Sequence, residues 1–71
     1  MRRAMLEALE KKYEASIAEA DATISVYLNN SVGIGEHPQF IEEIDKQIQK
    51  IADAQEKLQV LKSFEPERSV L

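Results

Sequence analysis

The sequence contains no cysteine and no tryptophan. Without cysteine there can be no disulfide staple and no thiolate metal site, the covalent and zinc supports on which small domains often depend. Glycine and proline are scarce, two of each, and the stretch NNSVGIGEHPQF, Asn29 to Phe40, holds both glycines, one proline and the single histidine. The segments on either side therefore lack the residues that punctuate turns. No apolar run approaches the roughly 20 residues of a membrane span, and the first residues lack the uncharged hydrophobic segment of a secretory signal. A cytoplasmic chain with no membrane partner is expected. Positive charge is also in short supply, with nine Lys and Arg against thirteen Asp and Glu and a formal net charge of -4. That balance disfavours nucleic acid and anionic membrane surfaces as partners. Arg2 and Arg3 form a small basic start, soon offset by Glu7, Glu10 and Glu14.

What is present is helix-forming sequence. The 71 residues make at most one domain, close to the lower limit of size at which a chain folds unaided. From Arg3 to about Asn29 the residues are good helix formers, and Leu6, Leu9, Tyr13, Ile17, Ala20, Ile24 and Tyr27 recur at steps of three or four, a one-sided stripe that drifts slowly round the helix. In the second half Ile41, Ile44, Ile48, Ile51, Gln55 and Leu58 alternate steps of three and four, which reads as a coiled-coil seam with one polar interruption. Phe40, Ala54 and Leu61 widen this seam on one flank. Glu42 with Lys46 and Asp53 with Lys57 are acid-before-base pairs four apart, a spacing that supports an exposed helix. Pro66 closes the helical pattern, because proline lacks the donor and disfavours helix at the residue before it.

The reading is an all-α antiparallel two-helix hairpin, coiled-coil-like, as one domain over 1–71: a helix over about 3–29, a turn at 30–37, a helix over about 38–63 and a loose tail at 64–71. If the turn centres near Gly33 and Ile34, facing residues have numbers summing to about 68. Ile24 then lies near Ile44, Ala20 near Ile48, Ile17 near Ile51 and Tyr13 near Gln55, so that the Gln55 amide could bond to the Tyr13 phenol. Two helices with one stripe each cannot enclose a core, because each stripe leaves a flank in water. Two hairpins are therefore expected to associate, most simply as a homodimeric four-helix bundle, through Leu9, Tyr13, Ile17, Ile24, Ile44, Ile48, Ile51 and Leu58.

The turn residues Val32, Gly33, Ile34, Gly35, Glu36, His37 and Pro38 admit several readings. GIGEHP offers two glycines before a helix N-terminus, where anions are favoured. A dinucleotide fingerprint, however, needs a preceding strand and a third glycine, and here a helix precedes and Pro38 stands in the third place. His37 with Glu36, Glu42 or Glu43 lacks the spaced ligand set that fixes a metal's geometry. Asn29-Asn30-Ser31 fits a glycosylation acceptor, which without a secretory route goes unused. The packing reading accounts for more: Asn29 and Asn30 suit leaving a helix, the glycines supply positive φ, His37 is placed to cap and Pro38 to open the second helix. Val32 and Ile34 are expected to fold back and shield Leu28, Phe40 and Ile41. No nucleophile is paired with a base, and the chain is too slight for a ligand-sized pocket; no enzyme activity, metal or cofactor is expected.

VGIGEHPQFIEEIDKQIQKIADAQEKL, Val32 to Leu58, with YEASIAEADATISVYLNN before it, resembles a group of short proteins of T-even-like and marine tailed bacteriophages, a group without an established activity. The resemblance covers most of the chain, and VGIGEHP is its most specific piece. It implies a small phage accessory or regulatory protein in the cytoplasm of an infected bacterium, and it transfers no catalytic or binding residue. Two functions follow as expectations. One is a structural or protein-interaction module that meets a host or phage protein through its helical faces or its turn. The alternative is a nucleic-acid-associated accessory factor in which Arg2, Arg3, Lys11 and Lys12 form a basic end.

Overall fold

A computed structural model describes residues 1–30 and 37–64, apart from the side chains of Asn30, His37 and Pro38. It is all-helical: α1 spans Arg2–Asn30, α2 spans His37–Leu61, and a 3₁₀ turn, Lys62–Phe64, follows α2 directly. The two helices pack along one another as a hairpin 51 Å long. Helix α1 runs its full length without a breaker, and Thr23 fits inside it because its hydroxyl donates to the Glu19 carbonyl at 2.9 Å, the back-bond that keeps a helical threonine satisfied. At the far end of α2 the last carbonyls need partners. Ser63 Oγ donates to the Val60 carbonyl and Arg2 Nη2 to the Phe64 carbonyl, each at 2.7 Å. The arginine thereby ties the start of α1 to the end of α2.

Burial fixes which stripe of each helix faces the other. On α1 the half-buried and buried positions Leu6, Glu10, Tyr13, Ile17, Ala20, Ile24 and Tyr27 alternate steps of four and three, a regular heptad seam, with half-buried Ser16 and Thr23 on one flank of it. On α2 the corresponding row is Phe40, Ile44, Gln47, Ile51, Ala54, Leu58 and Leu61. Tyr27 meets Phe40 edge to face with ring centroids 5.6 Å apart, and this pair sets facing residues at numbers summing to about 67 or 68 in antiparallel geometry. The layers that follow are Ile24 level with Ile44, Ala20 with Gln47, Ile17 with Ile51, Tyr13 with Ala54, and Leu6 with Leu61. Small residues meet large ones in the middle of the hairpin. Ala20 is 1 % exposed and Ala54 4 %, because a methyl side chain opposite Gln47 or Tyr13 is what lets the helix axes stay close.

The register matches the one expected, but the face of α2 is turned by one residue. Of the expected seam, Ile44, Ile51 and Leu58 are half-buried, whereas Ile41 and Ile48 are 68 % and 52 % exposed and Gln55 is exposed as well. The row Phe40, Gln47, Ala54, Leu61, taken from sequence as a widening flank, is the one that packs inward. The expected Tyr13–Gln55 pairing is therefore wrong. Tyr13 instead lies level with Ala54 and carries the Lys57 ammonium over its ring, 5.6 Å from the centroid, a favourable approach of cation to π-face.

Other expectations also need correcting. Helix α1 is only weakly amphipathic: Met5 and Val26, at 59 % and 58 % exposure, lie off the seam, and Glu10 lies half-buried on it. The i,i+4 ion pairs are replaced by other partners. Lys46 bonds Glu43 at 3.3 Å, Asp53 accepts from Gln49 Nε2 at 2.9 Å, and Lys57 is drawn to Tyr13. Leu28 and Ile41 are 62 % and 68 % exposed, and the expected folding back of Val32 and Ile34 lies outside the described residues.

Candidate association surface

Two helices lying side by side have two broad faces, one on each side of the seam. In an antiparallel pair the heptad positions flanking each seam row come together on the same face. The rows containing Ile17 and Ile24 on α1, and Ile44, Ile51 and Leu58 on α2, border one face. Leu28 lies beside them on α1, and Ile41, Ile48 and Gln55 on α2. This isoleucine face is open: Leu28, Ile41 and Ile48 are each more than half exposed, and the isoleucines between them are only half-buried. Among the described residues, the buried apolar set is Ala20, Ala54 and Leu61. A pair of helices this thin shelters two alanines and one leucine, half-covers Ile17, Ile24, Ile44 and Ile51, and leaves Ile41 and Ile48 mostly in water.

The opposite face carries a groove near the ends of the chain. Leu6, Leu9 and Tyr13 from α1, with Glu56, Lys57, Val60, Leu61 and Phe64 from the other side, line an open groove of about 530 Å³. The volume lies in the range of small-ligand sites and is larger than expected of so short a chain, but the groove is largely open to water. Phe64 of the 3₁₀ turn walls part of the groove. Lys12, Tyr13, Ser16, Lys50, Asp53 and Lys57 continue the same face toward the middle of the hairpin.

The predicted association residues thus fall on two different faces. Ile17, Ile24, Ile44, Ile48, Ile51 and Leu58 belong to the isoleucine face, whereas Leu9 and Tyr13 line the groove on the other side. Sequence reasoning missed Leu28 and Ile41 as surface residues, having placed Ile41 in the seam and Leu28 beneath the turn. The signal was available: Leu28 follows Asp21 and Glu14 in one heptad row, as Ile41 precedes Ile48 and Gln55 in another. Of the turn, Val32, Gly33, Ile34, Gly35 and Glu36 lie outside the described residues, as do the side chains of His37 and Pro38.

Charge divides the isoleucine face along its length. Toward the open end, the α1 strip becomes Glu14, Glu10 and Glu7, and the facing strip becomes Gln55, Leu58, Gln59 and Lys62. Toward the turn the same strips are Ile24, Leu28, Ile41, Ile44 and Ile48. The basic residues named from sequence do not gather. Arg2 is bonded to the Phe64 carbonyl, Lys11 pairs with Glu14 at 3.7 Å, and Lys12 lies on the groove face. Among the described residues, no group of three His, Asp or Glu side chains is placed to hold a metal ion, and no helix is long and apolar enough to cross a membrane.

The exposed position of Gln55 has a measurable consequence. Gln55→Ala is expected to change the unfolding free energy by no more than about 0.5 kcal/mol, as exposed substitutions do. A loss of about 2 kcal/mol in urea unfolding would instead indicate a buried, bonded amide.

No protein family, no curated protein and no solved structure matches the chain.

Proposed function

We propose that the chain is a non-enzymatic protein-interaction module whose working form is a homo-oligomer, most simply a dimer of hairpins. The observation that carries this reading is the isoleucine face: Leu28, Ile41 and Ile48 are 62 %, 68 % and 52 % exposed. Together these three side chains present on the order of 300 Å² of apolar surface, and patches of that scale on soluble monomers are often binding surfaces. A single hairpin gains nothing from placing isoleucines there, since valine or isoleucine exposed to water adds no packing. A second copy covers them. The resemblance to small phage proteins supports an accessory or regulatory role inside an infected bacterium, with the groove face and the turn left to meet a host or phage protein.

The nucleic-acid reading draws less support. Its four basic residues are spread round α1, and Arg2 and Lys11 are engaged within the hairpin. Sedimentation velocity at micromolar concentration tests the leading proposal. Twice the chain mass, with dissociation on dilution, is expected; a folded species of single-chain mass at all concentrations contradicts it.

A further inference from the structure

Helix α2 carries two apolar rows, and the hairpin uses only one of them fully. Phe40, Gln47, Ala54 and Leu61 face α1 together with the half-buried Ile44, Ile51 and Leu58, whereas Ile41, Ile48 and Gln55 stand on the far side of those three and are exposed. The outer row lies one residue, or about 100°, round the helix from the inner one. Taken with Ile44, Ile51 and Leu58, it repeats at alternate steps of three and four from Ile41 to Leu58, a second heptad seam with no charged side chain in it. Helix α1 offers nothing comparable on this face. Its outer row is Glu7, Glu14, Asp21 and Leu28, all exposed, with Glu14 already paired to Lys11 at 3.7 Å. Paired or not, these carboxylates are hydrated, and covering them costs hydration for the apolar gain of one leucine.

We propose that the second copy docks through α2 alone, the outer isoleucine row of one chain against the same row of the other across a two-fold axis. This rests on the self-association proposed above and names the helix that carries it. A two-fold contact sets a patch against itself, and an uncharged apolar row is a patch that suits its own copy. The two α2 helices then form the middle of the assembly and the two α1 helices its flanks. Asp21 on α1, like Asp45 and Gln59 on the other side of the α2 row, is exposed in the hairpin and stays at the rim of the contact in water. The area is sufficient for a reversible dimer. Ile41, Ile48 and Gln55, with Ala52 and the half-buried Ile44, Ile51 and Leu58, offer on the order of 1,000 Å² over two copies, the low end for specific association. The heptad spacing read from the sequence as the seam between α1 and α2 is thus assigned to the contact between chains.

The lack of native cysteine permits a direct test, in which single cysteines report on each row through their rate of alkylation under reducing conditions. Asp21→Cys and Ile48→Cys place a thiol on the α1 and α2 rows of the same face, and Val60→Cys places one on the opposite face; all three positions are exposed within the hairpin. Each variant is alkylated in dilute solution, where sedimentation shows single chains, and at a concentration that leaves about a tenth of the chains single. Because a covered thiol reacts only from the single chain, the rate for Ile48→Cys is expected to fall about tenfold, and the rates for Asp21→Cys and Val60→Cys by no more than about twofold. Should Ile48→Cys stay single where the natural chain pairs, Gln55→Cys, one heptad on in the same row, reports in its place. Equal slowing at Asp21 and Ile48 would mean that the second copy covers both helices. Slowing at Val60 alone, or at none of the three, would mean that it pairs elsewhere. Any of these results overturns the contact through α2 and leaves self-association standing, whereas a natural chain that stays single at every concentration overturns both.

Discussion

Ile48→Asp is expected to convert the proposed dimer to folded single hairpins, weakening association by two orders of magnitude or more. The side chain is 52 % exposed within its own hairpin, so a carboxylate there stays hydrated as long as the chain is alone. Pairing removes that water. Because a two-fold interface contains every residue twice, each dimer would bury two unpaired carboxylates among isoleucines, and a hundredfold change in Kd corresponds to only about 2.7 kcal/mol. Helix content by circular dichroism should change little, since Ile48 is not on the seam between α1 and α2. Val60→Asp is the matched comparison. Val60 is similarly exposed, at 54 %, but lines the groove on the opposite face, so association should persist. Equal loss of association in the two variants would mean that the isoleucine face is not the contact.

The second large effect belongs to the seam itself. Ala20→Leu is expected to destabilise the hairpin by about 1 to 3 kcal/mol, the usual cost of overpacking a close interior contact. In a chain of this size that is a fall in thermal midpoint on the order of 5 to 20 °C. Ala20 is 1 % exposed and lies level with Gln47, so three added carbons have no space unless the helices move apart and loosen the neighbouring Tyr27–Phe40 and Tyr13–Ala54 layers. Ala18→Leu is the control, because Ala18 is exposed on the same helix and alanine and leucine have nearly equal helix propensity. Thermal unfolding followed by circular dichroism at fixed chain concentration separates the two. Similar midpoints for both variants would show that the helices do not approach closely at Ala20.

These two substitutions also mark where sequence reading stopped. The hairpin and its register were legible, because helix formers run unbroken on both sides of one glycine-bearing stretch, and matched lengths joined by a short turn leave few ways to pack. The facing face of α2 was not legible. Ile44, Ile51 and Leu58 are flanked on one side by Ile41, Ile48 and Gln55 and on the other by Phe40, Gln47, Ala54 and Leu61, and spacing by three and four is satisfied on either side. Hydrophobicity alone favoured the isoleucine flank. The packed structure favours the other, where Phe40 meets Tyr27 and Ala54 admits Tyr13, because close approach depends on the fit of facing side chains as well as on how apolar they are.

The sequence by itself therefore determined the secondary structure, the antiparallel order and the level at which residues oppose one another. All three follow from local propensity, the position of the turn and a helical period that composition makes visible. Only the tertiary structure decided how each helix is rotated about its axis, and with that rotation which side chains are enclosed and which are left exposed. A rotation by one residue changes no local energy that a single helix can register; it is settled by the shapes of the side chains on the helix opposite.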